Sequence, residues 1–448
     1  PAGPIDLLPA DNVDYSNGFA QVFPTNRIVV YAVPPISTVE LRQHDEWLRL
    51  VISHELAHIF HLDRARGLWS VARTVLGRNP LLFPNSFTPS WVKEGLAQFY
   101  ETQLTGSGRL YSPETRAPVW AAARDSVVPP ISRWSRSASR YPRGTTAYAY
   151  GALLMQQVAE GSSGNSMRRF VEEVAAHPIP FRLNRASRIA FGTSFENSFK
   201  KFLFDDPQWR RMSMQGTTSD TGWRVLSDAG MYAGSPRWLG ADSVIWSASN
   251  GRDVAGVYVA DVRATGNPRR VARRNALDVN VSLGGDSVLF AQTELRDPYT
   301  VRSDLWIGRG ANERRITDGA RLTHPDVRKD GAIIAVQLGA ARARLVRLDE
   351  TGRAHSLNAV DDGSNWAEPR WSPDGKRIAA VQLLMSGEQR IVVLDTLGAI
   401  REVVTGNKYI FASPSFTPDG MRLVWATNQS DRMQLETARI APLSAPID

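Results

Sequence analysis

Residues 52–63 read ISHELAHIFHLD. On an α-helix, positions four apart share a face with Cβ atoms about 5–6 Å apart, so His54 and His58 can turn both imidazoles toward one ion. Glu55 projects to the side of that pair, where it can hold a water molecule rather than the metal. Two core histidines satisfied by backbone carbonyls are the plainer alternative, but that arrangement does not need Glu55. A catalytic zinc ion takes three protein ligands and keeps one open position. The chain has no cysteine, so the third ligand must be His, Asp or Glu. Residues 89–101, PSWVKEGLAQFYE, offer Glu94 in the first turns of a second helix, beside Trp91 and Gly95. Glycine weakens a helix relative to alanine, and a close approach of the helix to its partner or to substrate would account for Gly95.

The elements that must hold these groups follow from apolar spacing. Helical periodicity predicts helices over 41–64, 91–104, 148–160, Ser166–Ala176 and 195–204. In the first, the other face carries Leu48, Val51, Ile52, Ile59 and Phe60. Thr193 and Glu196, at capping-box spacing, mark the start of the last. Strand-like sequence is sparse here; RIVVYAV (27–33) is the clearest case. The polar, aperiodic stretch DDPQWRRMSMQGTTSDTG then reads as a linker.

Beyond it the chain repeats. SPRWLGADSVIWSAS, VNVSLGGDSVLFAQT, HPDVRKDGAIIAVQL, EPRWSPDGKRIAAVQ and SPSFTPDGMRLVWAT share a strand, a tight turn with Asp, and a second strand. The turn residues Asp242, Asp286, Asp330, Asp374 and Asp419 recur at a nearly constant interval. Further alternating strands follow in each unit, such as GVYVADV and RIVVLDT. A period in the low forties with about four strands per unit signals a β-propeller. WRVLSDAG (223–230) reads as an outer strand that either completes the last blade or belongs to a chain with further blades. The expected organisation is therefore multidomain: a mainly α (α+β) domain over 1–207, a linker over 208–222 and an all-β propeller over 223–448.

Bulk composition bounds the rest. A chain of 448 residues is too long for one ordinary core. Its 42% hydrophobic and 22% charged content is that of a soluble globular chain, and no apolar run is long enough for a transmembrane segment. Absence of cysteine excludes disulfides, thiolate ligands and a cysteine nucleophile. The net charge is +8, with arginines concentrated in RARGLWSVARTVLGR and SRWSRSASRYPRG. A basic face could meet anionic polymers or lipid headgroups, although arginines on a solvated surface explain it more simply. Nothing interleaves aromatic and basic residues as a nucleic-acid module does, so no nucleic-acid partner is expected. A chain beginning at Pro1 without Met is expected to be processed, with an export signal already removed.

HELAH followed by WVKEGLAQFYE resembles the gluzincin metallopeptidases of the peptidase MA group, and SPDGKRIAAV resembles TolB-like and WD40-like propeller repeats. The first resemblance implies His54, His58 and Glu94 as ligands of one Zn²⁺ per chain, with Glu55 as general base. Glu101 matches an acidic position that, in some members, partners a ligand histidine. AYAYGALLMQQ matches a Y-x-x-G helix start whose tyrosine stabilises the oxyanion: Tyr148, with Tyr150 as the other register. The strand 27–33 would be the edge that receives an extended substrate. The chain departs from the family in a long insert between His58 and Glu94, expected to hold an extra helix and shape the cleft. It also lacks the G-x-M-E-N signature that holds a free amino terminus, which points to an endopeptidase. His61 and Asp63 lie near the histidine face and His44 further back; structural roles are expected for them.

The expected function is thus a zinc-dependent metallopeptidase acting on peptide or protein substrates, set in the periplasm, cell envelope or medium. A protein partner on the propeller is a further expectation. The competing expectation is a non-catalytic scaffold that binds through its propeller, with a vestigial or structural zinc domain. Hydrolysis of a non-peptide amide, as in cell-wall polymer, would use the same site.

Overall fold

A computed structural model of the chain describes all residues except 1–2, 43, 136–142, 180–181, 206–225, 227–231, 239–241, 251–253, 265–266, 274–278, 282–286, 309–311, 358–361, 429–433 and 443–448. The expected linker, 208–222, and all of 223–230 but Leu226 lie outside the described residues. Two units gather the chain: Pro1–Pro9, Asn17–Val30 and Glu46–Ser219 in one, Ala10–Ser16, Tyr31–Asp45 and Asp220–Asp448 in the other. A single cut after residue 207 placed all of 1–207 together, whereas two short N-terminal stretches pack with the later part of the chain. Their side chains give the reason. Buried Asp14 accepts the backbone N–H of Ser303 at 2.9 Å and pairs with Arg321 at 2.8 Å. Arg42, 1% exposed, donates to Glu368 at 2.7 Å and to the Phe411 carbonyl at 3.3 Å. A buried guanidinium stripped of such partners is strongly destabilising. Val33 and Ile36 join the same core.

The first unit opens with a sheet of β1 (Ile5–Ala10), β2 (Gly18–Gln21) and β3 (Asn26–Tyr31) in the order β1-β3-β2. The strand expected over 27–33 is β3, and it is central rather than an edge, with β1 and β2 on its flanks. Helices follow: α1 (Trp47–Leu62), α2 (Leu68–Leu76), α3 (Ser90–Thr105), α4 (Pro113–Arg124), α5 (Thr146–Glu160), α6 (Ser166–Ala176), α7 (Leu183–Phe191) and α8 (Phe195–Asp205). α1 begins later than the apolar spacing predicts, because Val39–Leu41 form a 3-10 turn and Arg42 is committed to Glu368. The cap of α8 is Ser194, whose Oγ accepts the N–H of Asn197 at 3.3 Å, one residue beyond the expected Thr193. α2 is the extra helix of the insert; α4 and α7 were not expected from periodicity.

The core of this unit is aromatic. Trp91 on α3 meets Trp134 and Phe195 edge-on at 5.5 and 5.1 Å, and Trp134 meets Phe199 at 4.7 Å. Each fully buried ring of this kind contributes about 1.5–3 kcal/mol through burial. That cluster fixes α3 against α5 and α8.

In the second unit each sequence repeat forms one antiparallel sheet. These are β4 (Tyr232–Trp238) to β7 (Arg269–Arg273), β8 (Val279–Val281) to β11 (Arg314–Arg315), β12 (Leu322–Val327) to β15 (Ala354–Ser356), β16 (Asn365–Trp371) to β19 (Ile400–Asn407), and β20 (Phe411–Phe416) to β22 (Gln434–Arg439). The strands run as meanders, and the first strands of successive sheets touch in chain order. That is the architecture of a β-propeller. The recurring Asp is explained by its carboxylate: Asp374 and Asp419 accept the N–H groups two residues on, at 3.1 and 2.9 Å. The glycines that follow them, Gly375 and Gly420, take φ of +70° and +68°. Asp286 lies outside the described residues.

Candidate metal centre

α1 carries His54, Glu55 and His58 on one flank, and all three are buried. α3 crosses beside it and brings in Glu94. The Nε2 atoms of His54 and His58 face each other 3.2 Å apart, and Glu94 Oε2 stands 3.5 Å from the first and 3.4 Å from the second. Donors placed tetrahedrally about 2.0–2.1 Å from a zinc ion stand about 3.3–3.4 Å from one another. The triangle therefore has the size that ion requires. With both imidazoles neutral, their Nε2 lone pairs and the Glu94 carboxylate repel where they meet, and a cation, whether a proton or a metal ion, relieves that. The Glu94 side chain keeps 19% exposure, so solvent reaches one side of the cluster.

The groups around the triangle are oriented by others. His54 Nδ1 donates to Glu101 Oε2 at 2.7 Å, which leaves Nε2 turned toward Glu94. Glu101 is fully buried and also accepts from the Arg109 side chain at 2.6 and 3.0 Å. A Cβ on Gly108, at φ +120°, would press on Thr102 Oγ1 at 2.9 Å. Tyr148, near the start of α5, interacts with Glu94 and Glu55, and the Arg109 guanidinium lies 5.6 Å over its ring. Gly95 and Gly151 account for that proximity: a Cβ on Gly95 would lie 2.5 Å from the Gly151 carbonyl carbon, and one on Gly151 would lie 2.2 Å from the Trp91 oxygen. Two side-chain-free positions let α3 and α5 cross backbone to backbone. The edge strand β2 lies on the other flank, where a Cβ on Gly18 would meet Glu55 Oε1 at 2.9 Å.

Electrostatics follow from burial and these contacts. For His54, burial and Arg109 oppose protonation, yet hydrogen bonds to Glu101 and Glu94 hold it up at about 9. Burial raises the Glu94 carboxyl, but His54 and His58 prevail and hold it well below the usual carboxylate range. Glu101 is opposed by burial and held down at about 2 by Arg109 and His54. Glu55 moves the other way: burial raises its pKa, the direction that suits a group exchanging protons near neutrality. Burial, then Glu94, pushes the Tyr148 phenol up to about 12, so it stays a donor.

The remaining expected residues lie elsewhere. Tyr150 is fully buried in the aromatic core against Trp134 at 5.0 Å, so the alternative register is excluded from the cluster. His61 is buried with both ring nitrogens unpartnered, outside the triangle, and burial holds it down at about 3. Asp63 is buried and pairs with Arg73 and Arg78 at 2.5 and 3.2 Å. His44, also buried, belongs to the other unit. Arg109 and Gly18 were missed; neither sits in a motif, and only the folded chain brings them to Glu101 and Glu55. A cavity of about 890 Å³ opens on the opposite flank of α1, lined by Leu56, Phe60, Leu96, Tyr100 and Arg73 among others, and none of the cluster lines it.

No family model matches the chain. Over 121 residues it is 28% identical to the protein TolB homolog of Chlorobium chlorochromatii (strain CaD3), covering 26% of each chain. The likeness is to TolB-like propellers. The chain thus spans about a quarter of that curated relative. Among solved structures it is similar to TolB from Acinetobacter baumannii, with 21% identity, TM-score 0.39, and 46% of this chain and 52% of that one covered. It is also similar to the β-propeller domain of the Trilobed protease from Pyrococcus furiosus, with 11% identity, TM-score 0.35, and 48% and 71% covered. The propeller rests on the sheets themselves. Among the described residues, no helix is long and apolar enough to cross a membrane.

Proposed function

We propose that the first unit is a zinc-dependent peptidase of the gluzincin kind. The observation that carries this reading is the meeting of His54 Nε2, His58 Nε2 and Glu94 Oε2 within 3.2–3.5 Å of one another. When bound, zinc would supply Lewis-acid polarisation of the scissile carbonyl. The chain's own residues supply the rest. Glu101 takes the Nδ1 proton of His54 in a hydrogen bond and so keeps Nε2 directed at Glu94; contacts of this kind orient ligand imidazoles. Glu55, beside the triangle, accepts a proton from the attacking water and passes it to the leaving amine. Tyr148 donates to the carbonyl oxygen as charge develops there. β2 is an edge strand of its sheet, and its outer backbone is the edge along which an extended peptide would pair. With no glutamate motif for a free ammonium, internal cleavage fits best.

The propeller is proposed as a surface for a protein partner, and an envelope or secreted setting suits both units. Glu55→Gln decides between hydrolase and scaffold. The variant should keep zinc and lose about 10²–10⁴ in turnover on a quenched peptide library. Full activity in that variant would sink the mechanism. A zinc-loaded parent inert toward every peptide would favour a scaffold.

A further inference from the structure

Helix α2 presents its apolar face to solvent. Its apolar residues Leu68, Val71, Ala72, Val75 and Leu76 recur at the spacing of one helical stripe. Leu68, Val71, Val75 and Leu76 are 68%, 62%, 75% and 71% exposed, and Leu81, in the short turn that follows, is 68% exposed. No residue of α2 is buried. Its polar edge, Ser70, Arg73 and Thr74, borders the open cavity behind α1, with only the Arg73 side chain, 10% exposed, largely covered. Polar contacts fix that orientation. Arg73 donates to Asp63 Oδ1 at 2.5 Å and to the Asp63 carbonyl at 2.7 Å. Trp69 Nε1 donates to the His177 carbonyl at 2.8 Å, and Arg78, just past the helix, reaches Asn26 at 2.8 Å. The apolar face is thus held outward by its own anchors, against the hydrophobic tendency to turn in.

The surroundings are cationic. Arg64, Arg66 and Arg168 share Glu172, and Arg73 and Arg78 share Asp63, so five guanidinium groups meet two carboxylates and a positive excess remains. Arg64, Arg66 and Arg168 are substantially exposed. An exposed apolar stripe on a short helix, bordered by arginines, is the pattern of a helix lying in the plane of a lipid interface.

We propose that α2 seats its apolar face on an anionic lipid surface, with the flanking arginines on the headgroups. The inference is independent of the hydrolase reading, since no residue of the cluster takes part. The test is co-sedimentation of the full chain with phosphatidylcholine vesicles, with and without phosphatidylglycerol. Binding is expected only with the anionic lipid, and it should weaken in high salt, where screening shortens the reach of surface charge. Val71→Ser with Val75→Ser should lower partitioning by about 100-fold, with an unchanged circular dichroism spectrum, because both residues are solvent-exposed. Arg66→Gln should reduce binding to the anionic vesicles alone. Absence of binding to anionic vesicles, or binding that the double serine variant retains, would overturn the proposal. So would a dimer in solution that the double variant dissociates, for the stripe would then be a face for a second copy.

Discussion

At the scale of residues, the chemistry rests on which proton sits where. Glu101 and His54 share one at 2.7 Å, and Glu55 lies on the same flank of α1 as the two imidazoles. Tyr148→Phe removes a donor without removing a ligand. Steady-state kinetics should show kcat down by about 10²–10³ with KM and zinc content little changed; an unchanged kcat would remove the tyrosine from the account. The histidine pair was legible in the sequence because positions four apart on a helix must share a face. Glu94 was legible because zinc without cysteine needs a third nitrogen or oxygen ligand. Tyr148 and Tyr150 were not separable from sequence, since two residues on one helix differ only in what the neighbouring helices present. Packing decides it: Tyr150 meets Trp134, and Tyr148 meets Arg109. Arg109 carried no signal at all, because its partner Glu101 is supplied by another helix.

At the scale of elements, glycines set the spacing of the site. Gly151→Ala would place a methyl 2.2 Å from the Trp91 carbonyl oxygen, and overpacking of that kind costs about 1–3 kcal/mol. Denaturant midpoints should fall accordingly, and turnover should fall with them, because separating α3 from α5 moves Tyr148 from Glu94. A variant as stable as the parent would mean the helices do not need that contact. Gly95 raised the question in the sequence, but its partner glycine lies on a helix far along the chain. α3 and α6 were legible from apolar spacing, α6 to the residue. The early start predicted for α1 was not, because a 3-10 turn and the commitment of Arg42 to Glu368 override local periodicity.

At the scale of the whole molecule, the repeats were legible because an Asp recurs in each turn, and at Asp330, Asp374 and Asp419 its carboxylate holds the N–H two residues on. The excursions Ala10–Ser16 and Tyr31–Asp45 were not, since Asp14 and Arg42 meet partners about three hundred residues away. Stability against pH is a molecular property with a definite sign here. Without metal, His54 is held at about 9 against 6.5 for a free imidazole, so its stabilisation is complete below pH 6.5 and lost as pH rises through 9. Glu101, held at about 2 against 4.5, stabilises above pH 4.5 and ceases to as pH falls through 2. Zinc competes with the His54 proton. The rise in melting temperature on adding zinc to chelator-treated protein should therefore grow between pH 6.5 and 9. A rise that is the same across that range would place the ion elsewhere.

Metal analysis of the purified chain tests the centre most directly. The parent and Glu55→Gln should each hold one equivalent of zinc after dialysis, and His58→Ala and Glu94→Ala should hold far less. Zinc retained equally by all four proteins, or by none, would contradict the three-ligand centre on which the account stands.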